Sequence, residues 1–324
     1  MENSYESQER WLKSITKLKK QHHKIADIIR DRKVAFLDIP AYFNVGDMLI
    51  YKGTEQFFLD YNINVIYRSD CHNYCNKKIS QSEVILLQGG GNFGDLYDVH
   101  QKFREEIIDK FQDKTIILLP QTIYFSETKN LDVCAEKLSL HHDLHLFVRD
   151  DASYILAKKL SDKVIKCPDM AYSLELLVEP TEVGLSYNCS CTRKLLNMTR
   201  VDIENSGMSS ELIKKGFDWK DIITKTDYLI LRMYKVMSSI PFIRHKVFKI
   251  WLSSMDDIIF KSINYFYIHD VIYTDRLHGM ILGTLLGKHI IMRDNSYGKN
   301  TGFSNLWLQD YPYIEYRENK APKS

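Results

Sequence analysis

Residues 271–302 read VIYTDRLHGMILGTLLGKHIIMRDNSYGKNTG, and this segment predicts a strand, a loop, a helix and a second strand in succession. A β-branched run at 271–273 stops at a polar tip, and a helix-like apolar run follows at once and ends at Gly287. The run 288–293 has the composition of a second buried strand, and a loop rich in glycine and asparagine comes after it. The order of these elements is typical of a parallel, doubly wound sheet.

Three polar side chains stand at the end of the first of these strands: Asp275, Arg276 and His278. Parallel sheets bind ligands outside the carboxyl ends of their strands, so we expect a ligand site there. Arginine grips carboxylate or phosphate with a planar fork, histidine exchanges a proton near neutral pH, and a helix N-terminus adds oriented N–H groups. Together they suit a small, strongly anionic substrate whose reaction needs a proton. The alternative is that Arg276 pairs with a carboxylate of the protein and His278 caps the helix.

The composition is that of an ordinary globular protein. The chain has 324 residues, roughly two domains by the usual domain size, of which 44% are hydrophobic and 27% charged. Its 44 basic and 42 acidic residues leave a net charge of +2, so no nucleic-acid partner is expected. The N-terminus has no signal-like apolar region, and no apolar run approaches the roughly 18–20 residues of a membrane span. We therefore expect a cytoplasmic protein.

The six cysteines fit neither a zinc ribbon nor a thioredoxin motif, and we expect reduced thiols. They are Cys71, Cys75, Cys134, Cys167, Cys189 and Cys191.

Short apolar runs alternate with helix-like segments from residue 33 onward. The strand-like runs are 34–39, 63–67, 84–87, 115–119, 144–148 and 163–165, and the helix-like segments are 46–60, 97–111, 130–140 and 151–160. Strands separated by helices predict a parallel sheet with right-handed crossovers. We expect the fourth run to leave the sheet at Pro120, because proline cannot donate to the ladder.

Most of the 14 glycines fall within 46–94 or 279–302. Two glycine-containing loops follow predicted strands, Asn-Val-Gly-Asp at 44–47 and Gly-Gly-Gly-Asn-Phe-Gly-Asp at 89–95. Their backbone N–H groups are candidates to hold an anion or a sugar. Neither loop has the spacing of a dinucleotide fingerprint or a P-loop. A tight structural turn would explain the glycine run equally well.

A second arginine at a predicted strand end is Arg149, followed by a helix. We expect it to face Arg276 across a cleft between two sheets. The alternative is a surface pair beside a helix that Asp150 or Asp151 caps. The alternating pattern breaks near residue 181, so the predicted organisation is an amphipathic helix at 1–33, a Rossmann-like domain at 34–181, a second at 182–310 and a tail at 311–324.

Two stretches combine basic and apolar residues and are candidates for peripheral contact with an anionic membrane at its inner face. In 5–33, Trp11 and Ile15 share one helix face with other apolar residues, while lysines share the other. In 228–255, five basic residues are interleaved with aromatic ones and no acidic residue occurs. The alternative for both is a helix whose apolar face is turned into the domain.

The order and spacing of six blocks resemble the polysaccharide pyruvyl transferases. The blocks are Asn-Val-Gly-Asp at 44–47, Leu-Leu-Gln-Gly-Gly-Gly-Asn-Phe-Gly-Asp at 86–95, Arg-Asp at 149–150, Cys-Pro-Asp at 167–169, Thr-Asp-Arg-Leu-His-Gly at 274–279 and Asp-Asn-Ser-Tyr-Gly-Lys at 294–299. The resemblance runs in order along most of the chain and departs mainly in 188–255.

The resemblance implies an α/β fold with two Rossmann-like domains similar to the GT-B glycosyltransferase architecture. It also implies transfer of pyruvate from phosphoenolpyruvate to two hydroxyls of one sugar, as a cyclic ketal, with release of phosphate. The acceptor would be a sugar of a surface polysaccharide or exopolysaccharide, or of its lipid-linked oligosaccharide precursor. Arg149, Arg276 and Lys299 then become candidates to bind phosphoenolpyruvate, and His278 becomes the acid that protonates its methylene carbon.

The glycine-containing loops supply the candidate acceptor-binding residues, which are Asn44, Asp47, Asn92 and Asp95. Of these, Asp95 or Asp47 is the candidate to take a proton from the acceptor hydroxyl. No metal or cofactor is expected, because arginines can neutralise the phosphate. A homo-oligomer is compatible with the sequence. Two rival hypotheses stay open: a glycosyltransferase that uses a nucleotide sugar, and a non-catalytic member of a glycan-assembly complex.

Overall fold

The structure, a computed structural model, describes residues 4–183, 193–198, 216–294 and 299–316. The chain divides into two compact units. The seven-stranded unit comprises residues 20–42 and 50–173, and the four-stranded unit comprises 1–19, 43–49 and 174–324. This division differs from the predicted boundaries, because the N-terminal helix and the first turn of the helix after strand one group with the C-terminal part of the chain.

The seven-stranded unit is built on a parallel sheet, as predicted. Its strands are β1 (Val34–Leu37), β2 (Val65–Arg68), β3 (Val84–Leu87), β4 (Gly90–Gly94), β5 (Thr115–Tyr124), β6 (Leu144–Val148) and β7 (Lys163–Lys166). They lie in the order β2-β1-β3-β5-β6-β7, and β4 pairs with β5. All four residues of β1 and of β3 are buried, as expected for a sheet covered on both faces.

Helices flank this sheet. They are α2 (His23–Ile29), α3 (Val45–Asp60), α4 (Asn76–Ile79), α5 (Asp98–Lys110), α6 (Thr128–Leu138) and α7 (Asp151–Ala157). Helices α3, α5, α6 and α7 lie at nearly the predicted positions, whereas α4 was not predicted and the single helix predicted at 1–33 is interrupted by a turn at residues 21–22. The alternation of strands and helices confirms the Rossmann-like α/β class.

Residues 90–94 of the glycine run form strand β4 rather than an anion-binding loop, which corrects the prediction. Gly94 has φ of 120°, and a Cβ added there would lie 2.7 Å from the carbonyl carbon of Tyr124. Glycine is needed because the two backbones approach so closely. The prediction for Pro120 was also wrong: β5 continues through it to Tyr124, and its pairing with β6 shifts register between Leu118 and Gln121. Such irregularities accommodate a residue without an N–H donor.

The four-stranded unit contains a second parallel sheet, in the order β11-β10-β9-β8. Its strands are β8 (Leu195–Met198), β9 (Val271–Thr274), β10 (His289–Met292) and β11 (Ile314–Tyr316). Its helices are α1 (Ser4–Lys20), α8 (Lys225–Met237), α9 (Pro241–Tyr267), α10 (Leu277–Leu285) and α11 (Lys299–Trp307). Residues 311–316, assigned from the sequence to a tail, thus include a strand paired with β10. Strand β8 was not predicted from the sequence.

Two glycines fix helix α10 on this sheet. Gly287 ends the helix with φ of 63°, and the N–H of the next residue, Lys288, donates to the carbonyl of Gly283 at 2.9 Å. A Cβ at Gly283 would lie 3.3 Å from Cγ1 of Ile272, so the helix lies directly on β9. This close packing holds the loop between β9 and α10 at the end of the sheet.

The apolar face of α1 is covered by the protein itself. Trp11 and Ile15 are fully buried, and Nε1 of Trp11 donates to the carbonyl of Thr284 at 2.8 Å. That face is therefore not available to a membrane. Within the described ranges, no helix combines the length and the apolarity needed to cross a bilayer.

Candidate active site

The loop between β9 and α10, Thr274 to Gly279, has a geometry that follows from its sequence. Thr274 ends the strand fully buried, and its Oγ1 accepts a hydrogen bond from the N–H of Arg276 at 3.0 Å. This side-chain turn directs the chain from the strand into helix α10. At Gly279 a Cβ would lie 2.7 Å from Oγ1 of Thr274 and 2.8 Å from Sδ of Met198. The glycine is needed for the helix to start this close to β8 and β9.

His278 packs on the backbone of the first turn of α3. A Cβ added at Gly46 would lie 2.7 Å from Cγ of His278 and closer still to Nδ1. In that turn, Oδ1 of Asn44 accepts from the N–H of Gly46 at 3.0 Å, and Nδ2 of Asn44 donates to Oδ2 of Asp47 at 2.8 Å. Three of the predicted site residues, Asn44, Asp47 and His278, therefore belong to one unit, although more than 230 positions separate His278 from the other two.

Arg276 has a carboxylate partner that the sequence analysis missed. Its Nη2 donates to Oδ2 of Asp218 at 2.7 Å, and only 14% of the arginine side chain is exposed. The other oxygen of Asp218 accepts from the N–H of Trp219, and the N–H of Asp218 donates to Asp221. This reciprocal capping box, Asp-x-x-Asp, is the sequence signal that would have identified a fixed carboxylate. This ion pair fits the alternative that Arg276 binds a carboxylate of the protein itself. It also holds the guanidinium in one orientation.

Asn300 joins the ends of the two central strands and was also missed. Its buried Nδ2 donates to the carbonyl of Asp275 and to that of Arg293, each at 2.8 Å. Its N–H donates to Oδ1 of Asp294 at 3.2 Å. The side chain of Lys299 and residues 295–298 lie outside the described part of the chain, so the role predicted for Lys299 stays a prediction.

Arg149, in the seven-stranded unit, is buried and bonded to its neighbours. It is 3% exposed, its Nε donates to Oγ1 of Thr122 at 2.9 Å, and its Nη1 donates to the fully buried carboxylate of Asp169. Asp150 caps helix α7 by accepting from the N–H of Ser153 at 2.7 Å. Arg149 of the Arg-Asp block and Asp169 of the Cys-Pro-Asp block thus form one buried ion pair. Its role toward a substrate stays a prediction.

Asp95 and Asn92 are also engaged within the seven-stranded unit. Asp95 accepts from the N–H and Oγ of Ser126 and from Nδ2 of Asn130, at 2.6–2.9 Å. Burial opposes its ionisation, but these hydrogen bonds outweigh that effect and hold the pKa of Asp95 below its usual value. Oδ1 of Asn92 accepts from Nη2 of the fully buried Arg104 at 2.9 Å. Both side chains therefore have local structural partners.

A further polar cluster lies at the carboxyl end of β1, where the strand order reverses. Asp38 has φ of 65°, and its Oδ1 lies 2.7 Å from Nδ1 of His100. Its Oδ2 lies 3.7 Å from Nη2 of Arg104. The switch point of a doubly wound sheet is a common ligand site, and a non-glycine residue with positive φ is often functional. The one-turn spacing of His100 and Arg104 on α5 is the signal that sequence reasoning overlooked.

Asp38, His100 and Cys71 place one possible metal-ligand atom each within 4.8 Å of one another. Two features make this trio a poor cation site. The guanidinium of Arg104 lies beside Asp38 and would repel a cation. Burial, together with Asp38 and Asp70, raises the pKa of the Cys71 thiol, whereas metal binding needs the thiolate. The chemistry of the cluster fits a hydrogen-bonding site for a polar ligand better than a metal centre.

The chain matches known proteins over most of its length. Residues 44–297 match the family described as "Polysaccharide pyruvyl transferase". The chain is 34% identical over 318 residues to the Bacillus subtilis (strain 168) protein named "Putative pyruvyl transferase EpsO", covering 96% of both chains. It is 26% identical to "Pyruvyl transferase 1" of Schizosaccharomyces pombe, covering 86% of this chain and 70% of that protein.

A solved structure supports the fold. The crystal structure of a functionally uncharacterized Klebsiella pneumoniae protein superposes with a TM-score of 0.58 at 22% identity, covering 93% of this chain and 98% of the other. At that identity the likeness shows only the fold, and it agrees with the predicted α/β class. The extent of the family match and the 34% identity over nearly the whole chain carry the assignment. The chain belongs to the polysaccharide pyruvyl transferase family.

Proposed function

We propose that the protein transfers the pyruvyl group of phosphoenolpyruvate to two hydroxyls of one sugar residue and releases inorganic phosphate. The acceptor is a sugar of a polysaccharide or of its lipid-linked oligosaccharide precursor. The observation that carries the proposal is the contact of His278 with Gly46, whose neighbours Asn44 and Asp47 are the candidate acceptor residues. Family membership supplies the reaction class.

The reaction begins with proton transfer to carbon. His278 donates a proton to the methylene carbon of phosphoenolpyruvate, which becomes a methyl group and leaves the adjacent carbon electrophilic. The first sugar hydroxyl adds to that carbon and loses its proton. The carbon–oxygen bond to phosphate then breaks, and the second hydroxyl adds to complete the ketal. One hydroxyl proton restores His278 and the other leaves with the phosphate, so protons balance.

Arg276 is the group best suited to the donor's negative charge. Nη2 is held by Asp218, which fixes the plane of the guanidinium and directs the rest of the fork. A preoriented fork binds carboxylate or phosphate with little loss of side-chain entropy. Arg149 and Lys299 remain candidates for further contacts with the donor.

Asp47 is a better candidate than Asp95 for taking the acceptor proton. Asp47 adjoins Gly46, on which His278 packs, and it belongs to the same unit as His278. Asp95 instead accepts hydrogen bonds from Ser126 and Asn130, which lower its pKa and weaken it as a base.

The test is phosphate release from phosphoenolpyruvate with a panel of sugar acceptors, together with mass spectrometry of the product. We expect a ketal-linked pyruvate on the acceptor. His278→Gln should lower turnover by about 10²–10⁴-fold, the usual contribution of a general acid. Asp47→Asn should lower it far more than Asp95→Asn. Turnover of a nucleotide sugar with no consumption of phosphoenolpyruvate would instead establish the glycosyltransferase hypothesis.

A further inference from the structure

Helices α8 and α9 form a hairpin whose outer surface carries large apolar side chains. Phe242, at the start of α9, is 94% exposed. Leu229 and Val236 on α8 are 65% and 66% exposed, and Ile250 on α9 is 45% exposed. We call this surface the outer face of the hairpin. Moving such side chains out of water is favourable, so a face of this kind favours contact with an apolar phase.

The hairpin does not need this outer face in order to fold. Its inner face buries Trp251 completely and leaves Tyr234 and Val247 at 1% and 4% exposure. The rings of Tyr234 and Trp251 are stacked with centroids 6.4 Å apart. Thr224 caps α8 by accepting from the N–H of Asp227. The inner contacts and the Thr224 cap therefore account for the folding of the hairpin, and its outer apolar side chains are not needed for it.

The charges on the outer face have one sign. Between Asp227 and Asp256 the sequence contains no acidic residue, although the chain as a whole has nearly as many acidic as basic residues. Four exposed basic side chains occur in this stretch, and none has an ion-pair partner among the residues that the structure describes. They are Arg232, Lys235, Lys246 and Lys249. Helical spacing sets Arg232 beside Leu229 and Val236, and Lys246 beside Phe242 and Ile250.

We propose that the outer face of the α8–α9 hairpin docks on the surface of an anionic lipid bilayer, with Phe242 inserted below the headgroups. Exposed apolar residues mixed with lysine and arginine are the composition of helices that lie in a membrane interface. Each lysine or arginine near an anionic surface adds attraction that salt screens. Of the two stretches that the sequence made candidates for membrane contact, this one keeps its apolar residues exposed, whereas α1 buries Trp11 and Ile15.

The charges also argue against a second copy of the chain as the occupant. In a two-fold symmetric contact the same surface meets itself, so Lys246 and Lys249 would oppose basic residues of the other copy. Like charges across an interface oppose association. An anionic lipid surface satisfies both the apolar and the basic side chains. The proposal does not depend on the donor or on the chemistry of the reaction.

The test is co-sedimentation of the full chain with vesicles of phosphatidylglycerol and phosphatidylcholine in equal parts, compared with vesicles of phosphatidylcholine alone. We expect binding to the anionic vesicles that weakens as salt is raised. Phe242→Ser should lower the partition coefficient by about tenfold or more, in line with loss of one buried aromatic side chain. Phe242→Leu should restore most of it. Lys246→Glu with Lys249→Glu should lower it by at least about tenfold, because two attractive charges become repulsive.

Matched variants of the seven-stranded unit are the controls. Leu140 is 67% exposed, so Leu140→Ser removes an exposed apolar side chain elsewhere. Lys110→Glu with Lys129→Glu makes the same change of net charge at two other exposed lysines. Both controls should bind vesicles as the unchanged chain does.

Two results would overturn the proposal. The first is equal partition of the unchanged chain to the two kinds of vesicle. The second is a self-association, measured by light scattering, that Phe242→Ser abolishes while vesicle binding is unaffected; the outer face would then be a contact between copies. Circular dichroism on each variant establishes that the helices are retained, which is expected because every changed side chain is exposed.

Discussion

The imidazole of His278 packs against the backbone of Gly46, and this contact leaves no space for a side chain at position 46. A Cβ there would lie 2.7 Å from Cγ and 3.1 Å from Cβ of His278. Position 46 of the Asn-Val-Gly-Asp block must therefore be glycine, because His278 of the Asp-Arg-Leu-His-Gly block occupies the space that a side chain would need. Two motifs far apart in the sequence are one structural feature.

Replacing Gly46 should displace His278 and lower activity. We expect Gly46→Ala to lower the rate of phosphate release by about 100-fold, since misplacing a catalytic group by about 1 Å has effects of that size. The matched control is Gly302→Ala on helix α11, where an added Cβ meets nothing within 4 Å. It should leave activity unchanged and stabilise the fold by up to about 1 kcal/mol. A fully active Gly46→Ala would contradict the role of this contact.

Removing the charge of Asp218 should loosen Arg276 without disturbing the local fold. Asparagine still caps the turn at Trp219, so Asp218→Asn removes chiefly the ion pair at 2.7 Å. We expect the KM for phosphoenolpyruvate to rise about tenfold with a smaller change in kcat. Arg276→Lys, which keeps the charge and loses the fork, should have the larger effect. Steady-state kinetics measure both, and a fall in kcat alone for Asp218→Asn would refute a positioning role.

The buried pair of Arg149 and Asp169 should contribute to stability. Arg149→Met leaves the Asp169 carboxylate buried without its cation, and we expect it to lower the free energy of unfolding by about 3–5 kcal/mol. The double variant with Asp169→Leu should lose less than the sum of the single losses. Urea unfolding of the three variants measures this coupling. If Arg149 serves only a substrate, Arg149→Met will alter kinetics and leave the unfolding free energy unchanged.

Asn300 should matter because its amide serves two buried carbonyls. In Asn300→Asp the side chain can no longer donate to the carbonyls of Asp275 and Arg293, and a carboxylate would face them. We expect a loss of about 2–4 kcal/mol in the free energy of unfolding, the usual range for buried groups left without partners. Asn305→Asp, at an exposed position of the same helix, is the control and should change it by no more than about 0.5 kcal/mol. Equal losses in the two variants would show that the bridging amide is unimportant.

His141 should make the stability depend on pH. Its Nδ1 accepts from the N–H of Asp143 at 3.2 Å, and Nε2 lies 3.2 Å from the carbonyl of Phe111, so both ring nitrogens are satisfied in the neutral form. Burial lowers the pKa of His141 in the folded state. As the pH falls through about 6.5, the unfolded chain takes up a proton that the folded chain resists, and the free energy of unfolding falls.

Replacing the ring should weaken this dependence. We expect His141→Gln to give a shallower decline of the unfolding free energy between about pH 7 and pH 5 than the unchanged chain. Urea unfolding at a series of pH values measures the slope. His142→Gln, at the exposed neighbouring position, is the matched control. An unaltered slope in His141→Gln would rule out the assignment.

The amino-acid sequence by itself determined the class of fold and the position of the main loop. Apolar runs at 34–39, 84–87 and 271–273 are local signals, and each of them contains or forms a largely buried parallel strand. The strand, loop and helix around Arg276 and His278 were predicted for the same reason, since strand, turn and helix cap are all properties of neighbouring residues. The six motif blocks also indicated the family, because their residues and their order can be read directly from the sequence.

The tertiary structure alone decided the partners of the charged side chains. Spacing could not show that Arg149 pairs with Asp169, that Arg276 pairs with Asp218, or that the glycine run at 90–94 is a strand beside β5. These partners lie at distant positions in the chain, and a periodic pattern carries no information about which distant segment it will meet. Whether an arginine binds a carboxylate of the protein or of a substrate depends on such long-range contacts. For the same reason, only the folded structure shows that the first turn of α3 contacts His278.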